Sequence, residues 1–242
     1  MLPKPNLQSP IVAIMQPYLF PYIGYFQLMA LVDVFVVFDD VQYIRRGWIN
    51  RNRILVNGKA QWFTIPVKKM PRDALINQGQ FLIDDRVRNK ILRTLETQYR
   101  KAPFFKMTFR LVEKTLNYPD TAIVPFLVHH FELIKNYLNI KTPLKLSSHL
   151  DYNRGANAQE KIIQISKILQ AKMYVNPIGG KDLYSSQTFQ AEGIQLLFLN
   201  PQVEPYFQGK EPFVPNLSII DVMMWNDVKE IQRLLTQYEL IQ

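Results

Sequence analysis

An α/β fold on a mostly parallel sheet is the architecture this sequence predicts, and three patterns predict it. Two short apolar runs near the N-terminus, Ile11-Val-Ala-Ile-Met15 and Val34-Phe-Val-Val-Phe38, flank an apolar segment of helical character. The same order returns near the C-terminus, where Met173-Tyr-Val-Asn176 and residues 194–199 flank a short helical piece. Between these two units the chain changes period and reads as helix. A strand joined to the next by a helical crossover lies parallel to it, so each unit is a βαβ motif. The expectation is a single α/β domain over residues 1–242, with a helical insertion at about residues 84–152.

Each element has its own signal. The first strand stops at Gln16-Pro17, because a proline cannot donate to a sheet ladder. The first helix follows Pro21 and runs to about Val32, and the second strand ends at Asp39-Asp40. Asp84-Asp85 open a helix with Val87, Ile91, Leu92, Leu95 and Tyr99 on one face, two acids in the first turn suiting the helix dipole. Residues 109–116 and 123–138 continue as helices, divided by Tyr118-Pro119-Asp120. Another helix, about residues 156–170, leads to the strand at Met173. Ser218 with Asp221 has the spacing of a capping box, and Asp227 suits the cap of a last helix reaching Leu240.

Composition excludes several classes. Of 242 residues 48% are hydrophobic and 20% charged, which is globular and not disordered. With no cysteine there is no disulfide framework, thiol nucleophile or cysteine-based zinc site. Residues 11–32 carry no charge, yet Pro17 and Pro21 within them argue against a membrane span. Residues 1–10 lack the features of a secretion signal, and the chain reads as cytoplasmic.

The formal charge of +9 is concentrated. Residues 39–110 hold sixteen Lys/Arg against six Asp/Glu, while the rest of the chain is nearly neutral. Such a segment points to an anionic small molecule such as a nucleotide sugar. Nucleic acid is disfavoured, because no zinc-finger, helix-turn-helix or ribonucleoprotein motif is present.

The residues suited to chemistry gather after the first two strands. Gln16 and Asp39/Asp40 end two strands expected to be parallel neighbours, and open α/β sheets bind ligands outside the carboxyl ends of their strands. Alternating strand geometry lets only one of Asp39 and Asp40 face a given crevice. The strings MQPYLFPYIGYFQLM, FDDVQYIRRGWINRNRI and TIPV, with YVNPIGGKDLY, the tyrosine of PYFQ and a late LSIID, closely resemble the WbqC-like family. The resemblance runs through residues 11–67 and returns at about 171–225. It implies O-antigen or related surface-polysaccharide synthesis, and it marks Gln16, Tyr18, Tyr25, Asp39, Asp40, Gln42, Trp48, Asn50 and Arg51 as motif residues.

Tyr22-Ile-Gly-Tyr25 also resembles the His-x-Gly-His of HIGH-type nucleotidylyltransferases in its place after the first strand. That similarity implies a Rossmann-like fold and a nucleotide packed on Gly24. Both histidines are tyrosines here, and a phenol cannot become a cation. Gly179-Gly180-Lys181, followed by Tyr184, offers backbone amides and an ammonium to an anion, without P-loop spacing. His129 and His130 point about 100° apart on a helix, and no pair of histidines has zinc spacing, so no metal is expected. The cofactor and the oligomeric state both stay open.

The functional expectation is an enzyme, a transferase, acting on a nucleotide-activated or phosphorylated sugar by acyl or aminoacyl group transfer. Asp39, Asp40 and Tyr25 are the candidate catalytic groups. Gln16, Tyr18, Tyr22, Gln42, Trp48, Asn50, Arg51, Lys181 and Tyr184 are the candidate substrate-binding groups, Arg51 gripping phosphate with Arg45, Arg46 or Arg53. The alternative is a non-catalytic binding or scaffold protein that uses the same cleft for an anionic sugar or a partner.

Overall fold

A computed structural model describes residues 10–209 and 212–242. Most of the stretch read for a secretion signal, residues 1–9, lies outside them. The main sheet has six strands: β1 (Ile11–Met15), β2 (Val34–Val37), β5 (Leu144–Leu146), β6 (Met173–Pro177), β7 (Gln195–Pro201) and β8 (Tyr238–Ile241). Their order across the sheet is β5-β2-β1-β6-β7-β8, and only β8 runs antiparallel. β1 pairs with β2 in parallel, Val12 opposite Val34 and Met15 opposite Val37, as the N-terminal βαβ reading requires. β6 and β7 pair in parallel across the short helix α6 (Ser186–Ala191), which gives the C-terminal unit.

Counted within this sheet, the strands run 3-2-1-4-5-6, the Rossmann-like arrangement, with the order reversing between β1 and β6. Alternate residues on each strand feed two cores. Ala13, Phe35, Val37 and Val175 face α1 (Ile23–Leu31) and the helices beyond it, while Val12, Ile14, Val36 and Tyr174 face α5 (Ala158–Ile168) and α6. A sheet buried on both faces needs continuous apolar strands, which is why these runs are so apolar. The uncharged residues 11–32 are therefore a core strand, a buried loop and a nine-residue core helix. Among the described residues no helix is long and apolar enough to cross a membrane.

Helices α2 (Asp85–Tyr99), α3 (Phe105–Leu116) and α4 (Ile123–Leu138) form the expected helical middle. Asp84 caps α2 by accepting from the Val87 amide at 2.7 Å. The insertion is differently bounded from the expectation. It begins with a two-stranded ribbon, β3 (Arg51–Val56) and β4 (Lys59–Thr64), and closes before β5, which belongs to the main sheet. β5 is only three residues long, too short to show a period.

The C-terminus also differs. Asp227 caps α8 (Val228–Leu234) as expected, but the chain then leaves the helix and adds β8 to the sheet edge. Ser218 caps α7 (Ile219–Trp225), accepting from the Ile220 amide at 3.2 Å. Asp221 does not close a capping box with it, because its carboxylate is taken up by Tyr99, Tyr206 and Gln208.

The ribbon turn is Asn57-Gly58, with φ of 51° and 76°. Two positive values match a hairpin turn whose twist suits the strands, and Asn-Gly is the sequence that adopts it readily. A Cβ on Gly58 would meet nothing within 4 Å, so only backbone strain opposes a side chain there. Gly58→Ala should lower the unfolding free energy by about 1–2 kcal/mol, the usual penalty of a left-handed residue. Urea titration of the two proteins checks it; an unchanged midpoint would remove the turn's backbone requirement.

Candidate functional site

The loop joining β1 to α1 turns into the core instead of running over the surface. Leu19 and Phe20 are fully buried, so their peptide groups need partners inside the protein. The rest of the fold supplies them. The Leu19 amide donates to the Trp48 carbonyl at 3.0 Å, and the Leu19 carbonyl accepts from Asn52 Nδ2 at 3.0 Å. The Phe20 amide donates to His130 Nε2 at 3.1 Å, and the Phe20 carbonyl accepts from Ser218 Oγ at 2.7 Å. The Pro21 carbonyl accepts from the Ile219 amide at 2.8 Å. Phe20 itself is held at φ 41°, left-handed backbone that a bulky residue adopts only under constraint.

Tyr25 belongs to this support. Its ring is buried, stacked on Phe131 with centroids 5.3 Å apart, and its hydroxyl donates to the Gln16 carbonyl at 3.0 Å. Burial holds the phenol well above its ordinary range. Read as a catalytic group from the sequence, Tyr25 has its one proton engaged by the main chain in the structure. The partly buried Gln16 enters the same contact through its backbone.

Three other phenols lie near one another beyond the ends of β1 and β6, where the strand order reverses. Tyr18 follows β1, Tyr22 precedes α1, and Tyr184 lies in the segment after β6. Tyr18 is raised above its ordinary range by burial first, and then by the neighbouring Tyr22 and Tyr184. Burial likewise raises Tyr22 and Tyr184. All three therefore stay protonated at neutral pH, as hydrogen-bonding groups and not as bases. Tyr174 abuts Tyr184 edge-on at 6.2 Å and donates to Asn176 Oδ1 at 3.0 Å, which closes the β6 side.

The two glycines have packing reasons. A Cβ on Gly24 would stand 2.4 Å from the Tyr22 ring, so Tyr22 itself covers the surface on which the HIGH-type resemblance would pack a nucleotide. A Cβ on Gly180 would stand 2.1 Å from Asn176 Nδ2, whereas Gly179 faces open space. Neither Gly179 nor Gly180 has positive φ. Lys181 donates to the Gln242 carbonyl at 2.9 Å, and Ser185 caps the helix that follows.

Asp39 and Asp40 do not divide between two faces. Both lie beyond the end of β2, where strand alternation has lapsed, and both turn to the segment after β5. Asp39 accepts from the Ser148 amide at 2.9 Å and from Ser148 Oγ at 2.7 Å. Asp40 accepts from Tyr152 at 2.6 Å and from Arg154 Nε at 2.9 Å. Ser147 Oγ bridges both carboxylates with a single proton. The Tyr152 phenol is raised above the ordinary range by burial and then by Asp40. With exposures of 1% and 5%, the two acids read as anchors for β5.

The ribbon carries a third group. Arg51 and Arg53 share one ribbon face with Trp62, which lies opposite Arg53 in the register. The Arg51 guanidinium stands 4.2 Å over the Trp62 ring and donates to the main-chain carbonyls of Gly47 and Arg46. Trp48 packs on Trp62 with centroids 5.0 Å apart; the two remain 37% and 43% exposed. Arg53 Nε is buried without a hydrogen-bond partner among the described residues. Asn50 and Gln42 serve the backbone, donating to the Ile65 and Arg72 carbonyls at 2.9 Å each. The residues expected in one pocket thus fall into a group of phenols, a carboxylate anchor and a ribbon face. The backbone contact of Leu19 with Trp48 joins the first to the third.

Sequence reasoning missed most of the supporting groups. Ser147, Ser148, Tyr152 and Arg154 follow a three-residue strand with no period to mark it. Asp221 is buried, raised above its ordinary range by burial, and accepts from Tyr99 at 2.7 Å, Tyr206 at 2.7 Å and Gln208 at 2.9 Å. Its signal was the pairing of the PYFQ and LSIID strings, which this network joins. Among the described residues no cluster of three or more acidic or histidine ligands could hold a metal ion.

Comparisons with known proteins agree with the motif reading. The model of the WbqC-like protein family matches residues 16–233. A curated relative, the uncharacterized protein Rv1507c of Mycobacterium tuberculosis, is 28% identical over 224 residues, spanning 88% of this chain and 92% of its own length. No solved structure matches the chain.

His130 sets a pH dependence. Its Nδ1 donates to the Leu127 carbonyl at 2.6 Å, so Nε2 is the unprotonated acceptor for Phe20. Burial lowers its pKa to about 3. A depressed value means the stabilisation is full above the unfolded pKa of about 6.5 and is lost as pH falls toward 3, at up to about 1.4 kcal/mol per pH unit. His130→Gln should flatten that part of the urea-midpoint profile; equal slopes in the two proteins would show that His130 does not titrate on unfolding. Asp39→Asn and Asp40→Asn should each destabilise by about 1–3 kcal/mol, because each leaves buried donors poorly matched. Thermal unfolding reads this, and a wild-type midpoint in either variant would refute the anchoring role.

Proposed function

Because the chain belongs to the WbqC-like protein family, we propose that it acts in O-antigen or related surface-polysaccharide synthesis, taking a nucleotide-activated or phosphorylated sugar at the crevice between β1 and β6. The family is associated with polysaccharide-related proteins. The observation that carries the reading is that Tyr18 and Tyr22, on a loop braced from five parts of the fold, lie near Tyr184 at the reversal of strand order. Protonated phenols suit sugar hydroxyls and phosphate oxygens, and a braced loop holds them in place without ordering cost on binding.

The ribbon supports the anionic end of such a ligand. Arg45, Arg46, Arg51 and Arg53 have no carboxylate partner among the described residues, and Trp48 and Trp62 offer exposed ring faces beside them. Guanidinium groups grip phosphate, and indole faces stack on a base or a sugar. In this reading the enzyme transfers an acyl or aminoacyl group to a sugar amine, acting by approximation and orientation.

A second reading, a non-catalytic binding or scaffold role, is favoured by one specific feature. The phenols are held protonated and both Asp39 and Asp40 are engaged, so none of these described candidates is a free base. Turnover separates the two. A panel of nucleotide sugars, screened by thermal shift with and without acyl donors, should yield a stabilising ligand for the native protein; at a hundred times its Kd the gain is about 2.7 kcal/mol. Tyr18→Phe and Arg51→Gln should each weaken that ligand about tenfold, or about 1.4 kcal/mol, with midpoints near wild type. Binding without product formation supports the scaffold role. Undiminished binding in both variants would exclude this crevice and ribbon as the site.

A further inference from the structure

The excess positive charge of residues 39–110 is only partly on the ribbon face described above. On the other side of the ribbon, between it and α2, lies a groove of about 710 Å³. Val56 and Gln61 form the ribbon wall, and Arg86, Lys90 and Arg93 stand along the helix wall. These three follow one another at i, i+4 and i+7, so they share one face and span roughly 10 Å of helix at 1.5 Å per residue. The remaining lining is amide and hydroxyl, including Asn89, Thr94 and Gln98, with no carboxylate.

Nothing within the fold neutralises this stripe. Among the described residues the side chains of Arg86, Lys90 and Arg93 make no hydrogen bond or ion pair, and Glu96 neither lines the groove nor pairs with Arg93. The same helix does use local pairing elsewhere, where Arg88 meets Asp85 three residues before it. Like charges at helical spacing destabilise a helix, so the stripe opposes the fold it sits on. All three side chains are exposed, so the countercharge of this face comes from solution.

We propose that this groove is a second anion site, for a ligand carrying two or more phosphate groups in line. A single phosphate would meet one or two of the three cations, whereas a linear oligophosphate reaches along the stripe. The amides and hydroxyls supply the remaining donors to phosphate oxygens. Single-stranded nucleic acid is the less suited polyanion, because its binding sites pair cations with aromatic stacking faces and this groove has none. The site stands on residues separate from the crevice and the Arg51 face, and so does not depend on the reading proposed for them.

Titration of inorganic tripolyphosphate into the full chain, by calorimetry and by phosphorus NMR, tests it. Tripolyphosphate should bind more tightly than orthophosphate, with affinity falling as salt rises. The triple variant Arg86→Gln, Lys90→Gln, Arg93→Gln should bind it at least about tenfold more weakly, with a thermal midpoint no lower than wild type because a repulsion has been removed. Tyr18→Phe should bind it as the wild type does. The proposal is overturned if the wild type does not bind tripolyphosphate, if the triple variant binds it equally well, or if Tyr18→Phe loses it. A single-stranded oligonucleotide that binds tenfold more tightly and is lost in the triple variant would also overturn it, in favour of nucleic acid.

Discussion

A loop that leaves a parallel strand and turns inward takes its peptide groups out of water, and each of them must find a partner in the core. Residues 16–22 meet that demand with donors and acceptors from Trp48, Asn52, His130, Ser218 and Ile219, together with the Tyr25 hydroxyl. These partners come from the approach to the ribbon, the ribbon itself, α4, α7 and α1. The requirement of one short loop therefore fixes how the helical middle and the C-terminal helices sit on the sheet. An unmet buried amide costs about 1–3 kcal/mol, a large share of the net stability of a domain.

The same bracing explains why so many motif residues are buried. Tyr25, Asn50, Ser218 and Asp221 all donate to or accept from other protein groups, and none is free to meet a ligand through the atoms it has committed. What they hold in place is the partly buried edge of the loop, where Tyr18 and Tyr22 lie near Tyr184 across the reversal of strand order. The strained Phe20 at the centre fits that division of labour, since left-handed backbone at a bulky residue persists only where the surroundings over-determine it.

Charge is laid out on a different plan from the phenols. The ribbon divides it: Arg51 and Arg53 share one face with Trp62, and Gln61 and Val56 on the other face look toward the cations of α2. Register produces this separation, because residues opposite each other in an antiparallel pair share a face and neighbours along a strand do not. Two cationic surfaces of unlike chemistry thus lie on opposite sides of one hairpin, the aromatic one on the ribbon and the amide-lined one on α2.

Local signals were enough for the elements that local forces build. β1, β2, the parallel pairing across α1 and the full extent of α4 could be read from apolar runs and breaks, because burial on two faces leaves an unmistakable pattern. The ribbon β3–β4 went unread, because its mixed polarity hides its alternation. β5 and β8 were not legible, since strands of three and four residues owe their existence to a neighbour's open edge. The residue types of the candidate site were visible in the motif strings, but their roles were not. Asp39 finds Ser147 across 108 positions, Phe20 finds His130 across 110, and Tyr99 finds Asp221 across 122. The sequence by itself determined the doubly buried strands, the longer helices, and which residues are able to donate or accept. Only the tertiary structure decided who their partners are, because a buried hydrogen bond is chosen by distance in space, and chain separation carries no information about it.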